Sequence, residues 1–142
     1  MPKSPKSARH YARRCAMQAL YQHKLTSTPW FDLVEQFLTT NNTPPRTDVD
    51  YFANLVQGLL THLDEIDQQI KPFLDRDIQD LNPIELVILR LAFFELLYET
   101  DVPQKVVINE AIELAKSFGS TKGYQYVNAV LDGFVKKNVT HN

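Results

Sequence analysis

Glycine and cysteine are both scarce in this chain. Its four glycines, Gly58, Gly119, Gly123 and Gly133, are too dispersed to form a dinucleotide fingerprint or a phosphate loop, either of which needs clustered glycines. Cys15 is the only cysteine, so no intrachain disulfide can form, and no apolar signal segment follows the basic opening MPKSPKSARH. The expectation is a reducing, cytoplasmic setting. Histidines 10, 23, 62 and 141 are scattered, and His10 and Cys15 stand five apart rather than the three or four that share a helix face. Neither a metal-ligand set nor a nucleophilic triad is visible, and the pair Glu110 and Glu113 reads as a solvated helix surface. The expectation is therefore no catalytic residue, no metal and no cofactor: a binding protein rather than an enzyme.

A third shortage is local. Residues 1–31 hold no Asp or Glu but carry Lys3, Lys6, Arg9, Arg13, Arg14 and Lys24, which sets the remaining nine Lys and Arg against all 17 Asp and Glu. The net charge of -2 thus conceals a basic end on an acidic body, a distribution that draws a polyanion to one end and repels it elsewhere. Hydrophobic residues at 44% and charged residues at 23% are ordinary globular proportions and exclude a disordered chain. A domain of this length buries roughly two-thirds of its unfolded surface and needs no staple.

Helical pattern is what the chain has in quantity. In the stretch LNPIELVILRLAFFELLY, Asn82 is a good N-cap, Pro83 fits the first turn and Glu85 stands at the capping-box position, which predicts a helix from Pro83 to about Glu99. Its apolar residues run almost all the way round, broken only by Glu85, Arg90, Glu95 and Glu99. A membrane span needs roughly 20 mostly apolar residues and tolerates internal charges poorly, so this is the central helix of a protein core and no membrane is involved.

The other segments are amphipathic. Ser7 is placed to cap a helix over 8–24, with Ala8, Ala12, Cys15, Ala16 and Ala19 on one side and Arg9, His10, Arg13 and Arg14 on the other. Pro29 opens a shorter helix with the stripe Trp30, Phe31, Val34, Phe37 and Leu38, ending in the loop 41–45. Thr47 and Asp50 resemble a capping box for a long helix whose seam, Val49, Phe52, Val56, Leu59, Leu63, Ile66 and Ile70, runs until Pro72. Residues 73–80 form a charged connector. After the central helix, Val107, Ile108, Ala111, Ile112, Ala115 and Phe118 mark a helix ending at Gly119, and Val127, Val130, Leu131 and Phe134 mark a last one over about 121–137. No segment alternates as a strand with hairpin turns. The expected architecture is all-α, a compact bundle in one domain of two packed helical halves, about 7–72 and about 81–138.

One constellation carries chemistry. The basic side of the first helix, extended by Lys3 and Lys6, offers cations to phosphates, and Lys122, Tyr124, Gln125 and Tyr126 at the start of the last helix add a cation and aromatic faces beside Gly119 and Gly123. Cations attract the phosphate backbone and aromatic faces stack on unpaired bases, a combination suited to single-stranded nucleic acid. The plainer readings stay open: a solvated cationic face, and tyrosines at the edge of a core with their hydroxyls in water.

The wording ARHYARRCAMQALYQ, then IELVILRLAFFELLYETDVPQKVVINEAIELAKSFG, then YVNAVLD resembles the NusB family of bacterial transcription antitermination factors, in order and spacing over essentially the whole chain. The resemblance implies an all-helical fold of two halves and an adaptor that catalyses nothing. It implies pairing with NusE, a small-subunit ribosomal protein, and binding of single-stranded boxA RNA in nascent transcripts, notably of ribosomal RNA operons. It further implies assembly with RNA polymerase and other Nus factors for read-through of terminators. Carried over by position, Lys3, Lys6, Arg9, His10, Arg13 and Arg14 form the basic track, with Lys122, Gln125 and Tyr126 as further RNA contacts, and Tyr21 and Glu85 match positions of the NusE surface. The family often has arginine where this chain has His10 and Tyr11, phenylalanine at Tyr126, lysine at Gln125 and glycine at Ala129. A face kept for NusE is also one through which two copies could pair as a homodimer. The alternative is a helical module whose basic arm binds an acidic protein and never RNA; a NusB-like domain fused to a ribosomal RNA methyltransferase is set aside for want of a cofactor motif.

Overall fold

Helix accounts for all the regular structure among the described residues. The computed structural model describes residues 6–40 and 43–139, with side chains over 8–40 and 43–138; Lys3, Asn41, His141 and the side chain of Lys6 lie outside them. Seven α-helices follow in order: α1 Lys6–Thr26, α2 Trp30–Thr39, α3 Val49–Thr61, α4 Leu63–Ile70, α5 Pro83–Tyr98, α6 Gln104–Phe118 and α7 Gly123–Val139. Two 3-10 turns, Lys71–Phe73 and Ile78–Asp80, lie between α4 and α5. Among the described residues there is no strand, and no helix is long and apolar enough to cross a membrane. The chain divides into two units between Thr61 and His62, so α4 stands with the second, whereas the halves 7–72 and 81–138 place it with the first.

In the first unit α1 packs on α2 and α3. The helix is already running at Lys6, so Ser7 lies within its first turn and is not its cap. Its small side is buried as the wheel requires, Ala12, Ala16 and Ala19 completely, and Met17 and Leu20 are buried with it. Residues this small let the backbone of a neighbour approach closely. The start of α3 is tied to that of α1: the Asp48 N–H donates to the Ala8 carbonyl at 3.0 Å, while Asp48 Oδ1 accepts from the Tyr51 N–H at 3.0 Å and so caps α3. The expected cap at Thr47 and Asp50 is displaced to Asp48, because the Thr47 N–H closes a turn on the Pro44 carbonyl.

Two further expectations change. On α2 the buried residues are Leu33, Val34 and Phe37, while Phe31 and Leu38 are exposed. At about 100° per residue Phe31 and Leu38 lie roughly 100° from the centre of that stripe, too far round for a ten-residue helix packed on one side. The long third helix is broken at His62, whose φ of -108° and ψ of 21° are not helical. Its seam serves two cores: Phe52, Val56 and Leu59 belong to the first unit, Ile66 and Ile70 to the second. Periodicity records that a residue is apolar, not which neighbour it packs against.

The second unit is built round α5, which packs on α4, α6 and α7. Asn82 Oδ1 accepts from the N–H groups of Ile84 at 2.9 Å and Glu85 at 3.2 Å, the expected N-cap, and the run that follows is apolar: Leu86 to Leu89 and Leu91 to Phe94 are all buried. The charges in this run are accommodated one by one. Arg90 makes a bidentate pair with Asp67 of α4, 2.9 Å for each bond. Glu95 is buried. Glu85 is buried as well and does not reach back as a capping box; its Oε2 accepts from the Ser120 N–H at 2.8 Å and Oγ–H at 2.7 Å.

That carboxyl group explains two glycines in the α6–α7 turn. Gly119 caps α6 with an ordinary φ of -87°, so no left-handed geometry calls for it. A Cβ there would stand 2.8 Å from the Ala115 carbonyl oxygen and 2.9 Å from Glu85 Oε2, and a Cβ on Gly123 would collide with the same carboxyl group. On α6, Phe118 is exposed and Leu114 takes the buried place beside Val107, Ala111 and Ala115. On α7 the expected residues, Val127, Val130, Leu131 and Phe134, are all buried.

Gly123→Ala should therefore cost about 1–3 kcal/mol of unfolding free energy in urea titrations, the usual penalty for overpacking. Joined to Glu85→Ala, its cost should fall short of the sum of the two single costs, since the group that the new methyl meets is gone. Strictly additive costs would mean that the two residues do not act on one another.

Candidate nucleic-acid interface

The side of α1 opposite its alanines does not simply carry cations into water. Arg9 and Arg13 are one turn apart, and both lie by Tyr51 near the start of α3, with guanidinium carbons 4.1 Å and 5.5 Å from the ring centroid. A guanidinium is planar and weakly hydrated, so it stacks on an aromatic face at little desolvation cost. Arg9 keeps 40% of its side chain exposed, and its Nε lies 3.8 Å from Asp48 Oδ2. Arg13 is only 4% exposed. The sequence places Arg13 on the outward face; the structure takes it into the packing against Tyr51, which is itself buried.

Arg14 is half-buried and lies 5.1 Å from the centroid of Tyr11, three residues before it on the same helix face. His10 meets Tyr11 edge-on, with centroids 5.7 Å apart. Arg9, His10 and Arg14 thus form a track in which cationic and aromatic groups are interleaved. Tyr11 and Tyr51 are parts of it that composition and charge did not single out. The Tyr11–Arg14 spacing was readable on a wheel; nothing local signals that Tyr51 comes to the same place.

In the second unit Lys122 and Gln125 are exposed and Tyr126 is half-buried. The Gln125 N–H donates to the Lys122 carbonyl at 3.1 Å in the turn that starts α7. Tyr124 has the Lys116 ammonium 5.0 Å from its ring centroid. Tyr126 is engaged more closely: its hydroxyl donates to Asp75 Oδ1 at 3.1 Å, and the Arg76 guanidinium stands 4.8 Å from its ring centroid. Arg76 donates to Asp75 through Nε at 2.7 Å and Nη2 at 3.1 Å. The Arg76 hydrogen bond holds the Asp75 carboxyl below its ordinary range, and burial pushes the Tyr126 phenol up. Tyr126 is therefore a neutral donor and Asp75 an anion at neutral pH. Asp75 and Arg76 lay in what the sequence presented only as a charged connector.

The two residues expected on a partner surface fare differently. Tyr21 is half-buried on α1. Glu85 is 6% exposed and bonded to Ser120, so it is withdrawn from the surface that this role requires. Among the described residues no three His, Cys, Asp or Glu side chains are grouped to hold a metal ion.

Comparison with known proteins gives this geometry its context. The transcription antitermination protein NusB of Idiomarina loihiensis is 52% identical over 126 residues, covering 89% of this chain and 90% of that protein. Its counterpart from Shewanella amazonensis is 46% identical over 132 residues, covering 93% and 98%. Among solved structures, NusB in a crystal with NusE and double-stranded RNA superimposes with a TM-score of 0.84 at 26% identity, over 94% of this chain and 99% of that one. T. maritima NusB gives 0.79 at 30% identity, over 95% and 93%. Residues 10–136, a span that reaches from α1 into α7, match the model of the NusB family, and the chain belongs to the NusB family.

Proposed function

We propose that this protein is an RNA-binding adaptor of transcription antitermination, which with a NusE partner holds single-stranded boxA-type RNA of a nascent transcript so that RNA polymerase reads through terminators. The observation that carries this reading is the outer side of α1, where Arg9 and Arg14 each keep a guanidinium on a tyrosine ring within a NusB-family frame. The solved relative that holds NusE and RNA together supports both partners. Other Nus factors complete the assembly, ribosomal RNA operons are the main setting, and the place of action is the cytoplasm. The protein catalyses nothing and needs no cofactor; it contributes a surface.

The RNA contacts proposed on α1 are Arg9, His10 and Arg14, with Lys3 and Lys6 leading into them. Arg13, being buried, supports the track by fixing Tyr51 rather than touching phosphate. In the second unit Lys122 and Gln125 supply polar contacts and Tyr126 supplies a stacking platform, with the Arg76 plane forming its outer layer. Tyr21 is the residue kept for the NusE contact; Glu85 acts there only through the turn it holds. The rival reading, an acidic protein as the ligand of the basic end, has no need of aromatic faces between the cations.

Arg9→Ala combined with Arg14→Ala should weaken binding of a labelled boxA-type RNA and flatten the dependence of log K on log salt by about 1.4, two phosphate contacts at roughly 0.7 each for a single strand. Arg13→Ala should instead lower the urea midpoint and leave the salt slope nearly unchanged. An unaltered slope in the Arg9 and Arg14 variant, or equal affinity for boxA-type, scrambled and duplex RNA at moderate salt, would reject the assignment in favour of a protein ligand.

Tyr126→Ala should cost roughly 1–3 kcal/mol of RNA affinity if a base stacks on that platform. Fluorescence anisotropy at fixed salt measures it. A loss near zero would return Tyr126 to the role of a residue at the edge of the core.

A further inference from the structure

The stretch between α4 and α5 holds an arrangement that the family reading does not call for. Three donors converge on one carboxylate: Arg76 Nε at 2.7 Å, Arg76 Nη2 at 3.1 Å and the Tyr126 hydroxyl at 3.1 Å all point at Asp75. Such convergence on an anion is the geometry that binds a phosphate oxygen. The carboxylate is not locked in. The Asp75 and Arg76 side chains are 65% and 50% exposed, and both residues lie in a bend between the two 3-10 turns, outside any helix. Exposed pairs of this kind contribute little to stability, so moving Asp75 aside forfeits little.

We propose that Arg76 and the Tyr126 hydroxyl form a binding site for a phosphodiester group of single-stranded RNA, which Asp75 occupies in the free protein and yields on binding. The site rests on the RNA-binding reading of the chain and adds to it a cation outside the basic end, together with a built-in competitor. The arginine has a separate use for its face and for its edge. Its plane lies over Tyr126, where a base can stack on the outer side, while its Nε–Nη2 edge, now taken by Asp75, suits two oxygens of one phosphate. Because a carboxylate and a phosphate compete for the same donors, RNA binding here is an exchange of anions and not a simple neutralisation. Asp75 thereby raises the threshold for weak or non-specific polyanions.

The test measures affinity and salt slope for a labelled single-stranded boxA-type RNA with the full chain and with Asp75→Ala, Arg76→Ala, the double variant and Asp77→Ala. All four changes are at exposed positions, and circular dichroism confirms that each variant is folded. Asp75→Ala should bind roughly three- to tenfold more tightly, with a slope steeper by about 0.7, since no released carboxylate then takes up a cation to offset the one that the phosphate gives up. Arg76→Ala should bind more weakly, and the double variant no more tightly than Arg76→Ala. Asp77→Ala removes the same charge two residues away and should change affinity far less than Asp75→Ala. Unchanged or weaker binding by Asp75→Ala, a gain that persists without Arg76, or an equal gain from Asp77→Ala would overturn the proposal. Arg9→Ala, measured alongside, separates the two levels: if it weakens binding while Asp75→Ala does nothing, only the exchange site fails. If the unaltered chain shows no salt-dependent RNA binding, the adaptor reading and this site fail together.

Discussion

A carboxyl group stands inside the most apolar helix of this protein, and the whole corner between α6 and α7 follows from satisfying it. Glu85 is at the start of α5, buried with its neighbours, and a buried polar group without a partner is costly. Ser120 supplies two donors. With the Glu85 carboxyl group in this place, a Cβ at Gly119 or at Gly123 would run into it. Gly123 is also the first residue of α7, so the same contact fixes where that helix begins and hence where Tyr124, Gln125 and Tyr126 emerge. One buried carboxyl group thereby sets the register of a surface set forty residues further on.

The surface itself repeats one solution. In each unit an arginine lies over a tyrosine ring with an aspartate beside it: Arg9, Tyr51 and Asp48 in the first, Arg76, Tyr126 and Asp75 in the second. The ring carries the guanidinium, and the aspartate stands at its edge, hydrogen-bonded in the case of Asp75 and as an ion pair at 3.8 Å in the case of Asp48. A long flexible side chain is thereby given one orientation before any ligand arrives, which removes part of the ordering cost of binding. The two cases differ in what the aspartate is tied to. Asp48 is committed to capping α3, so it restrains Arg9 without being able to leave. Asp75 has no such commitment to a helix, and that difference leaves exchange open to the second pair and closed to the first.

What was legible in the sequence was whatever depends on residues close together along it. Asn82 and Pro83 marked the start of α5, and the small side of α1 and the buried side of α7 were read from spacing alone. The family resemblance, carried by the wording of α1, of the run from α5 to Gly119 and of α7, supplied the function that periodicity could not. The failures share a cause as well. The partner of Glu85 is 35 residues away, Tyr126 meets Asp75 from 51 residues away, and Tyr51 lies on a different helix from Arg9 and Arg13. No local pattern reports such meetings. Arg13 was misplaced because a wheel divides residues into inside and outside, whereas a guanidinium on a buried ring is inside for packing reasons that hydropathy does not record.

The burial of Arg13 also limits what the basic end can do by attraction alone. Of the cations counted in the first 31 residues, Arg9 and Arg14 are the arginines on α1 with accessible side chains, and each already rests on an aromatic ring. On their own these two arginines give a shallow salt dependence, far from the steep loss of affinity seen when six to ten phosphates are neutralised. On the adaptor reading, then, electrostatics steers the RNA to the correct end, while stacking and the second protein supply the remaining affinity. An adaptor that bound any polyanion strongly would be trapped on the bulk of cellular RNA. One that binds weakly alone and firmly with its partner gains its selectivity from linkage between two modest contacts, since the second forms at high effective concentration once the first is made. The acidic remainder of the chain acts in the same direction, repelling nucleic acid wherever an arginine and a tyrosine are not there to receive it.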